Sequence, residues 1–204
     1  MEDLTSKAHN ARDGDSVAGE LDEDAMVAQF ADGDANAARM LIDRLAPRCL
    51  SVAFRMLGNH AEAEDVAQDA MMRLWKVAPD WQPGHAKVST WLYKVTFNLC
   101  IDLRRKKRPE TLDALADPQD EGASASDRIQ ESARIDALQA ALAQLPERQR
   151  QAVILRHIEE LSNPEIAGIL EISVEAVESL TARGKRTLAK NLANRRDELG
   201  YENG

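Results

Sequence analysis

The sequence predicts an all-α protein: two small helical domains joined by a flexible acidic linker, the second domain containing a helix-turn-helix. Aromatic residues make up only 4% of the 204 residues, whereas hydrophobic residues make up 44% and helix-favouring Ala and Leu are frequent. Apolar residues recur at three- and four-residue steps in most segments. Residues 109–127 (PETLDALADPQDEGASASD) combine Pro, Gly, Ser and acids and have little to bury, as is typical of a linker.

The formal net charge of −9 is unevenly distributed along the chain. Residues 1–24 hold eight acidic and two basic residues, and residues 109–131 hold seven acidic and one basic residue. Between them, residues 25–108 hold thirteen basic and nine acidic residues and end in five consecutive cations. These shifts predict an acidic disordered tail over 1–22, a first domain over 23–108, the linker over 109–127, a second domain over 128–197 and a short tail over 198–204.

Several function classes lack the sequence features they require. No apolar run approaches the ~20 residues of a membrane span, and the N-terminus lacks a signal-peptide pattern, so we expect no membrane insertion and a cytoplasmic location. Cys49 and Cys100 stand alone in apolar helical contexts, which indicates buried thiols rather than metal ligands. There is no Gly-rich phosphate loop, GxSxG or HExxH motif, so we expect no metal, no cofactor and no catalysis.

In the first domain, Asp34 is a candidate cap for a helix that stops near Pro47. A second helix is predicted over 48–57, ending at Gly58. A third over 61–78 carries an apolar stripe of Val66, Ala70, Leu74 and Val77.

A breaker-rich loop (WQPGHAK, 81–87) precedes a long helix that Ser89 or Thr90 is expected to cap, with Leu92, Val95, Leu99 and Leu103 facing inward. That helix ends in the basic run LRRKKR, downstream of Trp91, Tyr93 and Phe97. Cations beside aromatic rings suit single-stranded nucleic acid, where cations hold phosphates and rings stack on bases, although some of these rings must be core.

The second domain begins with a helix through Leu138, Leu142 and Leu145 that is broken at Pro146. A helix ending at Leu161 follows, then one capped by Ser162 or Asn163, then a helix over 174–192. In the last helix, Val174, Val177, Thr181, Gly184 and Leu188 are expected to pack on Ile166 and Leu170, with Gly184 allowing close approach. Its opposite face carries Ser179, Arg183 and Arg186, which suit phosphate and base-edge contacts; a solvated charged face is the alternative.

Three blocks carry a family resemblance: AEDVAQDAMMRLW, STWLYKVTFNLCIDLRRKKR and LPERQRQAVILRHIEELSNPEIAGILEISVEAVESL. Together, in this order and spacing, they resemble the bacterial RNA polymerase sigma factors of the extracytoplasmic-function (ECF) group of the sigma-70 family. The resemblance implies a promoter-specificity subunit, not an enzyme, whose partners are core RNA polymerase, promoter DNA and an anti-sigma factor.

The resemblance also assigns roles to residues. Asp65, Gln68, Asp69 and Arg73 would dock on the clamp coiled coil of the largest polymerase subunit. The loop 81–87 and the helix after it would hold the melted −10 element, with base and phosphate contacts from Lys94, Asn98, Arg104, Arg105 and Lys106. The −35 element would be read by the helix 174–190, through Ser179, Ala182, Arg183, Lys185 and Arg186.

One departure from the family pattern concerns −35 recognition. Many members begin this helix with Gly-Thr-Val and a basic residue, whereas this chain has Glu175 and Glu178. Acids near a groove repel phosphate, which predicts a weak or unusual −35 contact and more dependence on the −10 element. Three alternatives remain: a helix-turn-helix regulator acting without polymerase, a decoy that titrates an anti-sigma factor, and a nucleic-acid enzyme, for which no reactive cluster is found.

Overall fold

A computed structural model describes residues 22–84, 87–107 and 125–193, and within these ranges the chain is helical with no strand, which confirms the all-α prediction. Residues 1–21 of the predicted N-terminal tail, the predicted C-terminal tail and most of the linker, 109–124, lie outside the described residues. A one-turn 3₁₀ helix, Ala78–Asp80, follows the third of the eight described α-helices. In order, these helices are α1 (Glu23–Ala31), α2 (Ala35–Leu57), α3 (His60–Val77), α4 (Val88–Lys107), α5 (Ala125–Ala143), α6 (Glu147–His157), α7 (Asn163–Leu170) and α8 (Val174–Ala193).

Helix ends in the first domain follow local cap chemistry. The Asp34 carboxylate accepts from the backbone N–H of Asn36 at 2.7 Å and so caps α2, as predicted. Gly58 ends α2 in the left-handed region at φ 73°, where a side chain would be strained. Asn59 then caps α3 by accepting from the N–H of Glu62 at 3.0 Å.

The predicted stop near Pro47 is wrong, because α2 continues through Pro47 as a single 23-residue helix. Proline removes one helical hydrogen bond. Buried residues on both sides of it, Leu45 and Cys49, lie on one stripe that packs into the core. Burial of that stripe outweighs the lost hydrogen bond.

The predicted cap of α4 is also wrong, and the correction involves a helix that the sequence patterns missed. Helix α4 begins at Val88, and the backbone N–H of Ser89 donates to the Glu23 carboxylate of α1 at 3.2 Å. Glu23 therefore satisfies a helix-start donor from a distant part of the chain. The Asp22 cap of α1, which accepts from Asp24 N–H, was the sequence signal for the missed helix.

In the second domain, α6 ends at His157 instead of Leu161. The chain turns there through Glu160 at φ 56°, and the N–H of Leu161 donates to the carbonyl of Leu155 at 2.9 Å. Ser162 caps α7, and Ser162 and Glu165 form a reciprocal capping box. Helices α7 and α8 then form the predicted helix-turn-helix.

Gly184 lies where α8 packs most closely on its neighbours. The expected close approach is confirmed, but the neighbour is α6: a Cβ at Gly184 would lie 2.5 Å from Val153 Cγ2 and 3.3 Å from the Gln149 carbonyl oxygen. Val153 is buried in the core, so its side chain has little space in which to move. Only glycine fits between these two helices.

The two domains pack together, which the sequence did not predict. One buried cluster contains side chains from both domains, including Met56, Tyr93 and Phe97 from the first and Leu142 and Ile166 from the second. A second cluster lies within the first domain, between α1, α2, α3 and the start of α4. Helix α2 contributes to both clusters.

Arg150 of α6 joins the domains at the C-terminal end of α2. Its side chain is only 2% exposed, and Nη1 donates to the Met56 carbonyl at 3.0 Å. Nη2 donates to the Leu145 carbonyl at 3.2 Å. Burial lowers the pKa of Arg150 to about 10, so the guanidinium stays protonated at neutral pH. Carbonyl oxygens thus stabilise the Arg150 charge. One of them, that of Met56, lies in the last turn of α2, where carbonyls have no partner within the helix.

Replacing Gly184 by Ala should destabilise the protein by about 1–3 kcal/mol, because the new Cβ overlaps Val153 in a packed core. Gly168→Ala is the matched control, since nothing lies within 4 Å of its Cβ position in α7. That control should stabilise by about 0.5–1 kcal/mol through helix propensity. Urea unfolding of both variants measures this, and equal effects would contradict the close-packing account.

Glu165 should make stability depend on acid pH. Hydrogen bonds from Lys87 and Ser162 lower its pKa from about 4.5 to about 2. A depressed carboxyl pKa stabilises the fold fully above pH ~4.5, and this contribution is lost as the pH falls toward ~2. Glu165→Gln should therefore be less stable by about 0.5 kcal/mol at pH 7. The difference from wild type should narrow below pH 4.5; a constant difference in unfolding free energy from pH 7 to pH 3 would contradict this assignment.

Candidate nucleic-acid interface

The outer face of α3 carries the predicted polymerase-binding residues. Its inner face buries Val66, Ala70 and Leu74, so the residues between them in sequence turn toward solvent. All four predicted residues are exposed: Asp65, Gln68, Asp69 and Arg73. The structure thus places them together on one strip of a single helix.

Met72 lies in the middle of that strip, and sequence reasoning missed it. Its side chain is 47% exposed, one of three large exposed hydrophobic side chains in the described part of the chain. At 100° per residue, it projects between Gln68 and Asp69. An exposed apolar side chain framed by polar ones is typical of a protein contact. The helical spacing of Asp65, Asp69 and Met72 would have predicted that Met72 is exposed beside the two acids.

The basic end of α4 projects into solvent. Arg104, Arg105 and Lys106 are all exposed, and Arg108 lies outside the described residues. Within this end, Arg105 pairs with Asp102 at 3.0 Å, and Lys107 pairs with Glu62 of α3. The Lys107 pair ties the last turn of α4 to α3, which leaves the preceding cations on the outer surface.

Asn98 is exposed one to two turns before those cations, whereas two of the three aromatic rings are not available to bases. Tyr93 and Phe97 are buried in the core. Trp91 is half-buried and packs edge-on against Trp81, with ring centroids 6.0 Å apart. Stacking of bases on Tyr93 or Phe97 is therefore excluded in this conformation.

Asp24 of α1 holds the loop before α4. Its carboxylate accepts from Trp81 Nε1 at 3.0 Å and from the N–H of Gly84 at 3.3 Å. His85 and Ala86, later in the predicted loop, lie outside the described residues. Asp24 was not predicted, because nothing local in its sequence points to a partner about sixty residues away.

Lys94 differs from the other predicted −10 residues because its charge is paired with an acid of the second domain. Its ammonium lies 2.9 Å from the Glu171 carboxylate at the end of α7, and its side chain is 33% exposed. The hydrogen bond from Lys94 holds the pKa of Glu171 below its usual value. A DNA phosphate at Lys94 would have to displace this carboxylate.

The five predicted −35 residues share the outer face of α8. All are exposed: Ser179, Ala182, Arg183, Lys185 and Arg186. Arg183 donates from Nη2 to Ser179 Oγ at 2.8 Å and from Nε to the Ser179 carbonyl at 3.2 Å. These bonds fold the guanidinium along the helix, so Ser179 and Arg183 form one polar unit on this face.

The two acids at the start of α8 are engaged within the second domain. Hydrogen bonds from its own backbone N–H and from Ser173 hold the pKa of Glu175 below its usual value. Ser173 also accepts from the N–H of Ala176 at 3.2 Å and so caps α8. Glu178 accepts from Asn163 Nδ2 at 3.4 Å. Both carboxylates are exposed.

Across the described ranges, no group of three or more His, Cys, Asp and Glu side chains is placed to hold a metal ion. The same ranges contain no helix with the length and apolar character that crossing a bilayer requires. Cys49 and Cys100 are buried, and burial raises their pKa values to about 11 and about 12.

Comparison with known proteins identifies both halves of the chain. Residues 41–110 match the family described as Sigma-70 region 2, and residues 135–188 match Sigma-70, region 4. The chain is 33% identical to the ECF RNA polymerase sigma factor SigW of Bacillus subtilis, over 81% of this chain and 94% of SigW. It is also 33% identical to SigE of Mycolicibacterium smegmatis, over 78% of this chain and 62% of SigE.

Solved structures agree with this result. The structure of CnrH in complex with the cytosolic domain of CnrY is similar with a TM-score of 0.64 and 27% identity, covering 84% of this chain and 97% of CnrH. The matches extend over both domains, in the same order, and one relative is covered almost completely. This chain therefore belongs to the extracytoplasmic-function group of the sigma-70 family of RNA polymerase sigma factors.

Proposed function

We propose that this chain binds core RNA polymerase through α3, contacts the −10 element of promoters through α4 and reads the −35 element through α8. Members of the family are non-catalytic transcription initiation factors, and we propose the same for this cytoplasmic chain. The observation that supports the proposal best is the exposure of three separate polar or basic faces, one on each of these helices. Each face lies opposite a buried apolar stripe, so packing orients it outward.

The α3 strip has the composition of a docking surface. Asp65 and Asp69 supply negative charge for a basic coiled coil, and Met72 beside them supplies apolar contact area. Interface energy is concentrated in such central apolar contacts, whereas charges at the rim set orientation and association rate. Met72 therefore extends the predicted set of polymerase-binding residues.

Polymerase binding would also help this acidic chain to overcome its repulsion from DNA. Affinity for DNA depends on cation–phosphate contacts, and a chain with a net charge of −9 is repelled by naked DNA. A polymerase-bound chain is held beside the promoter, so even a few cations on α4 and α8 contribute at a high effective concentration. We therefore expect promoter recognition to require the polymerase complex.

Control by an anti-sigma factor forms part of the proposal. The relative CnrH, 27% identical to this chain, was solved in complex with the cytosolic domain of CnrY. The same overall fold in this chain offers a comparable surface for such an inhibitor. Co-purification of a binding partner with the tagged chain from its native cells would test this part, and transcription with added partner should then be inhibited.

The decisive experiment is reconstitution with core polymerase. The purified chain should form a stable complex with core polymerase and confer promoter-dependent transcription on it. A helix-turn-helix regulator would bind an operator without polymerase, and a decoy would bind neither polymerase nor DNA. Failure to bind core polymerase would contradict the proposed function.

The triple variant Arg104→Gln, Arg105→Gln, Lys106→Gln should reduce promoter opening at least about tenfold and leave polymerase binding intact. Three lost phosphate contacts should also lower the salt dependence of binding to single-stranded −10 DNA by about 2 in log–log slope. Permanganate reactivity of unpaired thymines measures opening. Arg39→Gln, an exposed cation on α2, is the control. Equal loss of polymerase binding would mean that the basic run is structural or a docking element.

In contrast to the triple variant, a charge reversal on the α3 strip should impair polymerase binding itself. Asp69→Lys should weaken core polymerase binding about tenfold or more, because it opposes a basic partner at close range. Asp136→Lys, an exposed acid of α5 with the same charge change, should bind as wild type. Surface plasmon resonance on immobilised core polymerase gives both affinities; indistinguishable values would place the docking surface elsewhere.

A further inference from the structure

The first turn of α1 contacts the chain at two places near the start of α4. One oxygen of the Asp24 carboxylate accepts from the indole Nε1–H of Trp81 at 3.0 Å, and the other accepts from the backbone N–H of Gly84 at 3.3 Å. The adjacent Glu23 carboxylate accepts from the backbone N–H of Ser89 at 3.2 Å. Two neighbouring acids of one helical turn therefore fix the 81–84 segment and the first turn of α4.

Helix α1 is itself fixed to the first domain, so it can support what its acids bind. Met26 and Val27 are 3% and 0% exposed and belong to the apolar cluster of that domain. On the polar side, Glu23 Oε1 lies 3.4 Å from Arg44 Nε and 3.4 Å from Arg48 Nη1 of α2. The first turn of α1 is thus connected to α2 as well as to α4.

Trp81 is the residue through which Asp24 acts on the surface of α4. Its half-buried ring packs against the apolar cluster and edge-on against Trp91, with ring centroids 6.0 Å apart. A tryptophan in such a place needs an acceptor for its N–H, and Asp24 supplies it. The hydrogen bond and the ring contact together determine how the Trp81 ring lies.

Trp91 lies on the same face of α4 as two residues predicted to contact the −10 element. Trp91, Asn98 and Arg105 are spaced by seven residues, or nearly two helical turns, so their side chains project in similar directions. Asn98 and Arg105 are exposed on this face. Trp91 and Asn98 are about 10 Å apart along the helix axis, at 1.5 Å per residue. The 81–84 segment, packed on Trp91, therefore extends the face that carries Asn98.

Asp24 is unsuited to contact DNA directly. A carboxylate repels phosphate, and both of its oxygens already accept hydrogen bonds from the protein. Its effect on DNA would therefore be indirect, through the segment that it binds. A segment that is already held in one conformation loses less conformational freedom when a nucleic-acid strand binds to it, which favours binding.

We propose that Asp24 is a positioning residue for −10 recognition. Together with Glu23, it holds the 81–84 segment and the start of α4 in the conformation that binds the unpaired promoter strand. The inference rests on the proposed contact between α4 and the −10 element. Helix α1 precedes residues 41–110, which match Sigma-70 region 2, so the family match assigns α1 no part in this recognition.

The contact itself can be observed by NMR in the free, full-length chain. Each of the three tryptophans gives one indole Nε1–H signal in a proton–nitrogen correlation spectrum, and Trp81→Phe identifies the signal of Trp81. In Asp24→Ala this signal should shift upfield and its exchange with solvent should be about tenfold faster, because the acceptor is lost. Asp32→Ala removes an exposed acid just after α1 and should leave the signal unchanged. An unchanged Trp81 signal in Asp24→Ala overturns the inference.

Promoter opening by the polymerase complex tests the positioning role. Asp24→Ala should slow the appearance of permanganate-reactive thymines about tenfold relative to Asp32→Ala, because the 81–84 segment must first be ordered. Affinity for core polymerase and for a duplex −35 fragment should not change. Both variants lose one negative charge, which by itself strengthens binding to DNA. A slower opening is therefore opposite in sign to a general charge effect, and faster opening in both variants overturns the inference.

Trp81→Phe provides a second variant that leaves α1 intact, since it keeps an aromatic ring and removes only the N–H donor. It should slow opening about threefold, because one of the two hydrogen bonds of Asp24 is lost. The double variant should open promoters no more slowly than Asp24→Ala alone, because both changes remove the same bond. Slowing by about thirtyfold, the product of the two effects, would show that Asp24 and Trp81 act independently, and it overturns the inference.

The outcomes separate this inference from the proposed function. If wild type opens promoters and Asp24→Ala opens them as fast as Asp32→Ala, the positioning role is overturned and the proposed function stands. If Asp24→Ala loses polymerase binding as much as opening, α1 only stabilises the domain, and the inference is again overturned. If wild type binds no core polymerase or opens no promoter, the proposed function is contradicted, and the inference with it.

Discussion

The continuous apolar stripe of α2 is the constraint on which both halves of the molecule depend. Its first part, including Leu41 and Leu45, lies in the cluster shared with α1, α3 and the start of α4. Its second part, including Val52 and Met56, lies in the cluster that the second domain completes. A proline inside a helix costs ~3 kcal/mol, yet each large side chain that this stripe buries contributes about 1.5–3 kcal/mol. Because α2 stays unbroken at Pro47, the two clusters keep a fixed relation to each other.

Electrostatics then distinguishes the faces of the molecule. Asp65 and Asp69 face outward on α3, whereas Arg104 to Lys106 face outward at the end of α4. Acids of the second domain pair with Lys87 and Lys94 of the first. Exposed ion pairs such as these contribute little each and weaken with salt, so the hydrogen bonds of Arg150 and Gln139 and the shared apolar cluster account for most of the packing between the domains.

The exposure of the predicted site residues follows from helical periodicity on α3 and α8. On α3 and α8 every predicted contact residue is exposed, because the apolar stripe of each helix fixes its opposite face. The caps at Asp34, Gly58 and Ser162 were predictable for a similar reason, since each acts on backbone groups within a few residues. Met72 could have been found by the same periodicity, had exposed apolar positions been considered along with polar ones.

The sequence by itself determined the all-α class, the outward faces of α3 and α8, the basic end of α4 and membership of the sigma factor family. Only the tertiary structure decided that α2 continues through Pro47, that Glu23 replaces Ser89 or Thr90 at the start of α4, and that Tyr93 and Phe97 are buried. It also decided that Lys94 meets Glu171 and that Glu159 meets Tyr93. The physical reason is range: propensity, periodicity and capping act over about one helical turn. The partners of Lys94, Ser89 and Glu159 lie some 66 to 108 residues away, where only packing of the whole chain brings them into contact.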